Sequence, residues 1–107
     1  MKFKKFSFKK VKSTNNTAIK IIKNSNFNYG MIVSEHQAKG RGQYGRIWKS
    51  FKGNLFVSFF YNLEQINISM KNLTKINCML TKKSISNFCK KKITFKPPND
   101  LLIGGKK

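Results

Sequence analysis

The sequence predicts an α+β fold, and three observations predict it. Short strand-type runs recur near residues 4–11, 30–35, 55–61 and 93–96. Two segments of helical periodicity lie between them. Turns marked by glycine, proline or asparagine separate the pieces. With 107 residues the chain is one domain at most, able to bury about two-thirds of its unfolded surface.

Each element has its own signal. Phe6 and Phe8 alternate with polar neighbours ahead of Val11, which predicts a strand over residues 4–11. Ser13, Thr14, Asn15 and Asn16 then offer N-caps for an amphipathic helix through Ala18, Ile21 and Ile22. Residues 24–29 form a polar turn, and residues 30–35 read as a short buried strand. Leu55 to Tyr61 is apolar on both faces except at Ser58, which suits a strand covered on both sides. A loop over roughly residues 62–68 leads to a long helix, with Met70, Leu73, Ile76, Met79, Leu80 and Phe88 at helical spacing. Ile93 to Lys96 is a strand stopped by Pro97 and Pro98, which lack N–H donors. Leu101 to Ile103 resumes it, and Gly104-Gly105 is a tight hairpin turn.

Composition limits function. Net charge is +20, with Glu35, Glu64 and Asp100 the only acidic residues. Such a balance is compatible with a basic nucleic-acid-binding module. The lysines are scattered from Lys2 to Lys107 amid abundant Asn, Ile and Phe, which points instead to compositional drift, and nucleic acid is the minority reading. Cys78 and Cys89 are spaced for neither a zinc site nor a redox pair, and both are expected in the long helix as small apolar groups. A reducing compartment follows, and no run is apolar enough for a membrane span or signal segment, so the cytoplasm is expected.

The most informative stretch is Gln37 to Trp48. Gly40, Gly42 and Gly45 lie within six residues, and Arg41 and Arg46 among them are the only arginines. Glycines let the backbone approach a ligand with N–H groups directed at an anion, and arginine adds a planar fork of donors. The loop is equipped to hold two negative groups side by side.

Ser13-Thr14-Asn15 opening a helix, Gln37 to Trp48, and Lys96-Pro97-Pro98-Asn99-Asp100 followed by Lys107 together resemble the catalytic domain of biotin protein ligases (biotin–[acetyl-CoA-carboxylase] ligase). The likeness runs from about Val11 to Lys107. It implies a mostly antiparallel sheet with helices packed on it, of the kind shared with class II aminoacyl-tRNA synthetases and lipoate ligases. Residues 1–107 would be the N-terminal part of that domain, an incomplete one. Family members continue past this point with a Gly-Ile-Leu strand and further nucleotide contacts. No helix-turn-helix precedes the domain, so no repressor role is expected.

The resemblance also implies chemistry. ATP and Mg²⁺ would activate biotin to biotinyl-5′-AMP, and the acyl group would pass to a lysine of the biotin carboxyl carrier protein of acetyl-CoA carboxylase. Arg41 and Lys107 would be catalytic, screening the approach of carboxylate to α-phosphate. Ser13, Thr14, Asn15, Gln37, Arg41, Gly42, Gln43 and Lys107 would bind biotin. Arg41, Gly42, Arg46, Trp48, Lys96, Asn99 and Asp100 would bind the nucleotide. No metal-ligand set is implied among them.

Structural roles stay open beside these. Ser13, Thr14 and Asn15 could cap a helix, Trp48 could be core, Asn99 and Asp100 could form an Asx-type turn, and Lys107 could be a solvated terminus. His36, the only histidine, has no evident partner. Gln43 stands where the family often has a second arginine, and Pro97 replaces a usual tryptophan. A lipoate or octanoate ligase or transferase on the same fold is the alternative function. Self-association through an unpaired sheet edge is a further expectation, because only Lys106 and Lys107 follow the last turn.

Overall fold

The computed structural model describes residues 3–64 and 67–107, arranged as two compact units, residues 1–63 and 64–107. Gln65 and Ile66, within the expected loop over residues 62–68, lie outside the described residues.

The first unit is a β–α–β turn of chain with a third strand added. β1 (Lys4–Val11) leads into α1 (Thr14–Asn24), and β2 (Gly30–Gln37) returns parallel to β1, with Phe6 opposite Ile32 and Val11 opposite Gln37. β3 (Phe56–Phe60) pairs antiparallel on the other side of β2, with Gly30 opposite Phe60 and Ile32 opposite Ser58. The sheet order is therefore β1-β2-β3. A helical crossover is what parallel neighbours require, since a hairpin cannot join them.

Period-two alternation puts Ile32, Ser58, Phe60 and Phe6 on one face of the sheet, the face α1 covers. Ile32 is fully buried and meets Ala18 and Phe60, with Phe6 and Ile21 packed around them. Burying such a side chain stabilises by about 2 kcal/mol. Ser13 caps α1 from an extended conformation, its Oγ accepting from the Asn16 N–H at 3.3 Å. The other face carries Phe59, which is 55% exposed. The strand is thus not covered on both sides as expected; its one polar residue, Ser58, is buried and an apolar neighbour faces outward.

The second unit is built from α2 (Met70–Ser86), β4 (Ile93–Lys96) and β5 (Asp100–Ile103), with α2 against both strands. β4 and β5 pair antiparallel through a turn at residues 97–99, Lys96 opposite Asp100 and Ile93 opposite Ile103. The run after the prolines therefore folds back on the preceding strand instead of extending it. Gly104 and Gly105 take positive φ values of 59° and 78°, and Ile103 bridges Lys106 across them, which is the expected tight turn.

The long helix is shorter and less buried than its periodicity suggests. No residue of α2 is buried, and Phe88 lies beyond its end, 91% exposed. Cys89 also falls outside the helix, where its Sγ donates to the Lys91 carbonyl. Cys78 lies within it, and burial, followed by the nearby Asp100 carboxylate, pushes its thiol pKa up. That makes it less available as a thiolate nucleophile. Among the described residues the three-stranded sheet is mixed and the β4–β5 pair is antiparallel, so antiparallel pairing is in the majority and the α+β reading holds. Among the described residues no helix is long and apolar enough to cross a membrane.

Candidate functional site

The parallel pairing fixes where a site can form. β1 and β2 end together at Val11 and Gln37, and only two residues separate Val11 from the start of α1, so a helix N-terminus faces the end of β2. Hydrogen bonds from the Ala38 N–H to the Val11 carbonyl and from the Lys39 N–H to the Lys12 carbonyl extend the pairing past both strands. Polar side chains delivered there meet orphan helix N–H groups.

Four elements supply a cluster at this edge. The Thr14 N–H donates to Gln37 Oε1 at 2.9 Å, joining motifs 23 residues apart. Gln37 Nε2 donates to Ser50 Oγ at 3.1 Å. The Thr14 hydroxyl meets the Ser58 hydroxyl at 2.8 Å, and Ser58 Oγ donates to Asn15 Oδ1. Ser13, Thr14 and Ser58 are buried, whereas Asn15 is exposed and Gln37 half-buried. A cavity of about 370 Å³ adjoins the cluster, lined by Lys10, His36, Gln37, Ala38 and Ser50. A larger hollow of about 700 Å³ lies at the other end of β1, among Phe3, Lys4, Lys5 and residues 26–29, and contains none of the expected site residues.

The glycine/arginine segment closes on itself as a miniature hairpin. The Trp48 N–H donates to the Gly40 carbonyl at 2.8 Å and the Gly42 N–H to the Arg46 carbonyl at 2.6 Å, with Arg41 bridging Ile47. A 3₁₀ turn over Gln43–Gly45 forms its tip, where Tyr44 takes φ 59° and is 95% exposed. The Gly42 N–H, expected to face an anion, is instead engaged within the loop. Gly42 matters for another reason: a Cβ there would stand 2.5 Å from the Trp48 indole nitrogen. Trp48 is 44% exposed and packs over this backbone, so it is not core. The Arg41 guanidinium reaches back to α1 and donates to Asn16 Oδ1 at 2.5 Å. Gln43 and Arg46 are exposed on the same hairpin.

In the second unit, Lys107 Nζ pairs with Asp100 Oδ1 at 3.0 Å. Lys96 ends β4, Asn99 sits in the turn, and both are exposed. The cap reading of Ser13 is realised alongside the cluster, since its hydroxyl serves the Asn16 N–H. Three participants were not among the site residues expected from sequence. Asn16 follows the Ser-Thr-Asn run directly. Ser50 carries no distinctive signal. Ser58 did carry one, as the lone polar residue of an apolar strand.

A polar cluster at the carboxyl edge of a β–α–β unit, beside a helix N-terminus, is the arrangement by which layered α/β structures receive small polar ligands. Residues 7–107 match the Biotin/lipoate A/B protein ligase family, and the chain belongs to it. It is 33% identical over 76 residues to the bifunctional ligase/repressor BirA of Escherichia coli (strain K12), an alignment covering 70% of this chain and 24% of that protein. The fold is similar to biotin acetyl coenzyme A carboxylase synthetase from Helicobacter pylori with bound biotinylated ATP, at TM-score 0.82 and 25% identity, over 96% of this chain and 50% of the other. It is similar also to biotin protein ligase from Aquifex aeolicus in complex with biotin and ATP, at TM-score 0.78 and 28% identity, over 92% and 40%. The chain thus spans from about a quarter to half the length of these relatives. The likenesses bear out the resemblance to biotin protein ligases and their class II synthetase-like fold.

Proposed function

We propose that residues 1–107 carry the N-terminal part of a biotin protein ligase catalytic domain. It would activate biotin with ATP to biotinyl-5′-AMP and pass the acyl group to a lysine of a biotin carboxyl carrier protein in the cytoplasm. The observation that carries this reading is the Thr14–Gln37 hydrogen bond at 2.9 Å, which draws two separated motifs into one polar cluster. Buried polar groups that already satisfy one another make an ordered floor for a ligand with few but directional hydrogen bonds.

Asn15, Thr14 and Gln37 are assigned to the biotin head, with Ser13 holding the helix start beneath them. Arg41 is assigned to the carboxylate and the α-phosphate. It is exposed and its partner Asn16 is exposed too, so it can swing to a ligand without abandoning a buried partner. Gly42 and Gln43 are assigned beside it, Arg46 and Trp48 to the nucleotide. In the second unit Lys96, Asn99 and Asp100 are assigned to the nucleotide and Lys107 to the reacting groups, where a compact cation suits an oxygen bearing developing charge.

In the first step a carboxylate oxygen of biotin forms a bond to the α-phosphorus and pyrophosphate leaves. In the second the acceptor amine attacks the acyl carbon and AMP leaves. The carboxylate is ionised near neutral pH, so the first step needs charge screening more than a base. Mg²⁺ is assigned to the nucleotide's own phosphates. Among the described residues no group of three His, Cys, Asp or Glu side chains is gathered to hold it.

The test is biotinyl-5′-AMP formation by the purified chain with ATP and Mg²⁺, followed by mass spectrometry. Arg41→Ala should lower the rate about a hundredfold, the scale on which one charge-stabilising donor acts. Lys71→Ala on α2 should change it less than about twofold. Equal effects of the two substitutions would refute the assignment.

A further inference from the structure

We infer that Ser58 is a positioning residue which sets the hydrogen-bond polarity of the pocket so that it suits a cyclic urea. The inference rests on the biotin reading and adds to it a residue and a reason for selectivity.

Asn15 Oδ1 can only accept, so the single hydroxyl proton of Ser58 goes to it. Ser58 Oγ must then accept from Thr14, whose hydroxyl lies 2.8 Å away. The Thr14 proton is engaged in turn, and what Thr14 Oγ1 can still offer is a lone pair. Asn15, with its oxygen held, keeps its two amide N–H donors for a ligand, and the residue is exposed. Gln37 follows the same logic: its oxygen takes the Thr14 N–H and its nitrogen gives one proton to Ser50, leaving a second amide proton.

The cluster therefore presents one acceptor beside several donors. A ligand with an N–H next to a carbonyl matches this pattern, as a cyclic urea does. An acyl chain ending in hydrocarbon or a dithiolane offers neither partner. Thr14 and Ser58 are only 6% and 8% exposed, so water cannot easily reverse the direction of the chain. Sites that hydrogen-bond their substrate reject analogues lacking the group far more strongly than apolar pockets do.

Calorimetry on the whole chain tests this with biotin and with biotin methylated on one ureido nitrogen. The unaltered chain should prefer biotin by at least about tenfold, the scale of one well-made hydrogen bond. Ser58→Ala should weaken biotin about tenfold and leave the methylated ligand nearly unchanged, so the preference collapses. Ser58→Thr, which keeps the hydroxyl, should restore it. Asn15→Asp still accepts from Ser58 but loses its amide donors. It should weaken biotin and the methylated ligand by a similar factor, since both keep the carbonyl that these donors meet, and this readout decides the matter if Ser58→Ala does not fold. Equal loss for both ligands in Ser58→Ala, a preference that survives Ser58→Ala, or biotin affinity unchanged in Asn15→Asp would overturn the inference. An unaltered chain that binds neither ligand would overturn the biotin reading itself, and this inference with it.

Discussion

Gly40 shows how closely the site depends on single atoms. It is buried, and a Cβ there would stand 2.5 Å from Gln37 Nε2 and 2.8 Å from Ser50 Oγ. Those are the two atoms whose 3.1 Å hydrogen bond fixes the Gln37 amide. Gly40→Ala must therefore push them apart. Overpacking of this kind costs about 1–3 kcal/mol, and freeing Gln37 removes its hold on the helix N-terminus. The variant is expected to lose biotin affinity about tenfold, read by calorimetry, together with a lower melting temperature. A variant that melts lower yet binds biotin as before would separate Gln37 from the ligand. At this scale the sequence was legible where residue type and chemistry coincide. Arg41 stood out by residue type, a lone arginine between glycines, whereas Ser13 to Asn15 and Gln37 were picked out through the resemblance to biotin protein ligases. The use of the Gly42 N–H on Arg46 was not legible, since nothing local announces that the loop will pair with itself. Ser58 was marked as the lone polar residue of an apolar strand, but its role was not legible, because its partners lie more than forty residues away.

Between residues and molecule, the decisive element is α1. It supplies the crossover that makes β1 and β2 parallel, and its first turn carries the polar cluster. Ser13 holds that turn twice, through its hydroxyl to the Asn16 N–H and through its carbonyl to Thr17, whose N–H and hydroxyl donate at 3.0 and 2.9 Å. Ser13→Ala removes only the first of these, and loss of such a cap costs about 1 kcal/mol. Chemical denaturation should show that loss with an unchanged m-value, because the surface exposed on unfolding is the same. A much larger loss would mean the hydroxyl supports more than the helix. Element positions were largely readable: the first strand spans the expected residues, and the second runs two residues longer than expected. Errors came where tertiary context overrides periodicity. Phe88 continues a helical spacing that the backbone does not follow, and Phe59 extends an apolar run outward because its neighbour Ser58 is needed on the inner face. The turn at residues 97–99 reverses the chain, which prolines alone signal only as an interruption.

At the scale of the whole chain, charge and exposed apolar surface oppose each other. Net charge is +20, while Ile47, Leu55, Phe59, Met70 and Phe88 are each more than half exposed. Apolar area left in water costs about 25 cal/mol for every Å² that a contact could bury. Among the described residues β3 and β1 are the edges of the three-stranded sheet, the positions where a further strand can pair. Repulsion between lysine-rich surfaces holds copies apart at low salt. It acts over about 10 Å at 0.1 M ionic strength and about 3 Å at 1 M, so added salt removes the repulsion and leaves the apolar attraction. The chain is therefore expected to self-associate increasingly as ionic strength rises. Light scattering across a salt series at fixed protein concentration measures this directly. Phe59→Lys, on the exposed face of β3, should move the onset to higher salt by adding charge where apolar contact would form. Scattering that stays at the monomer value up to 1 M salt would show that the charge is not what keeps the copies apart.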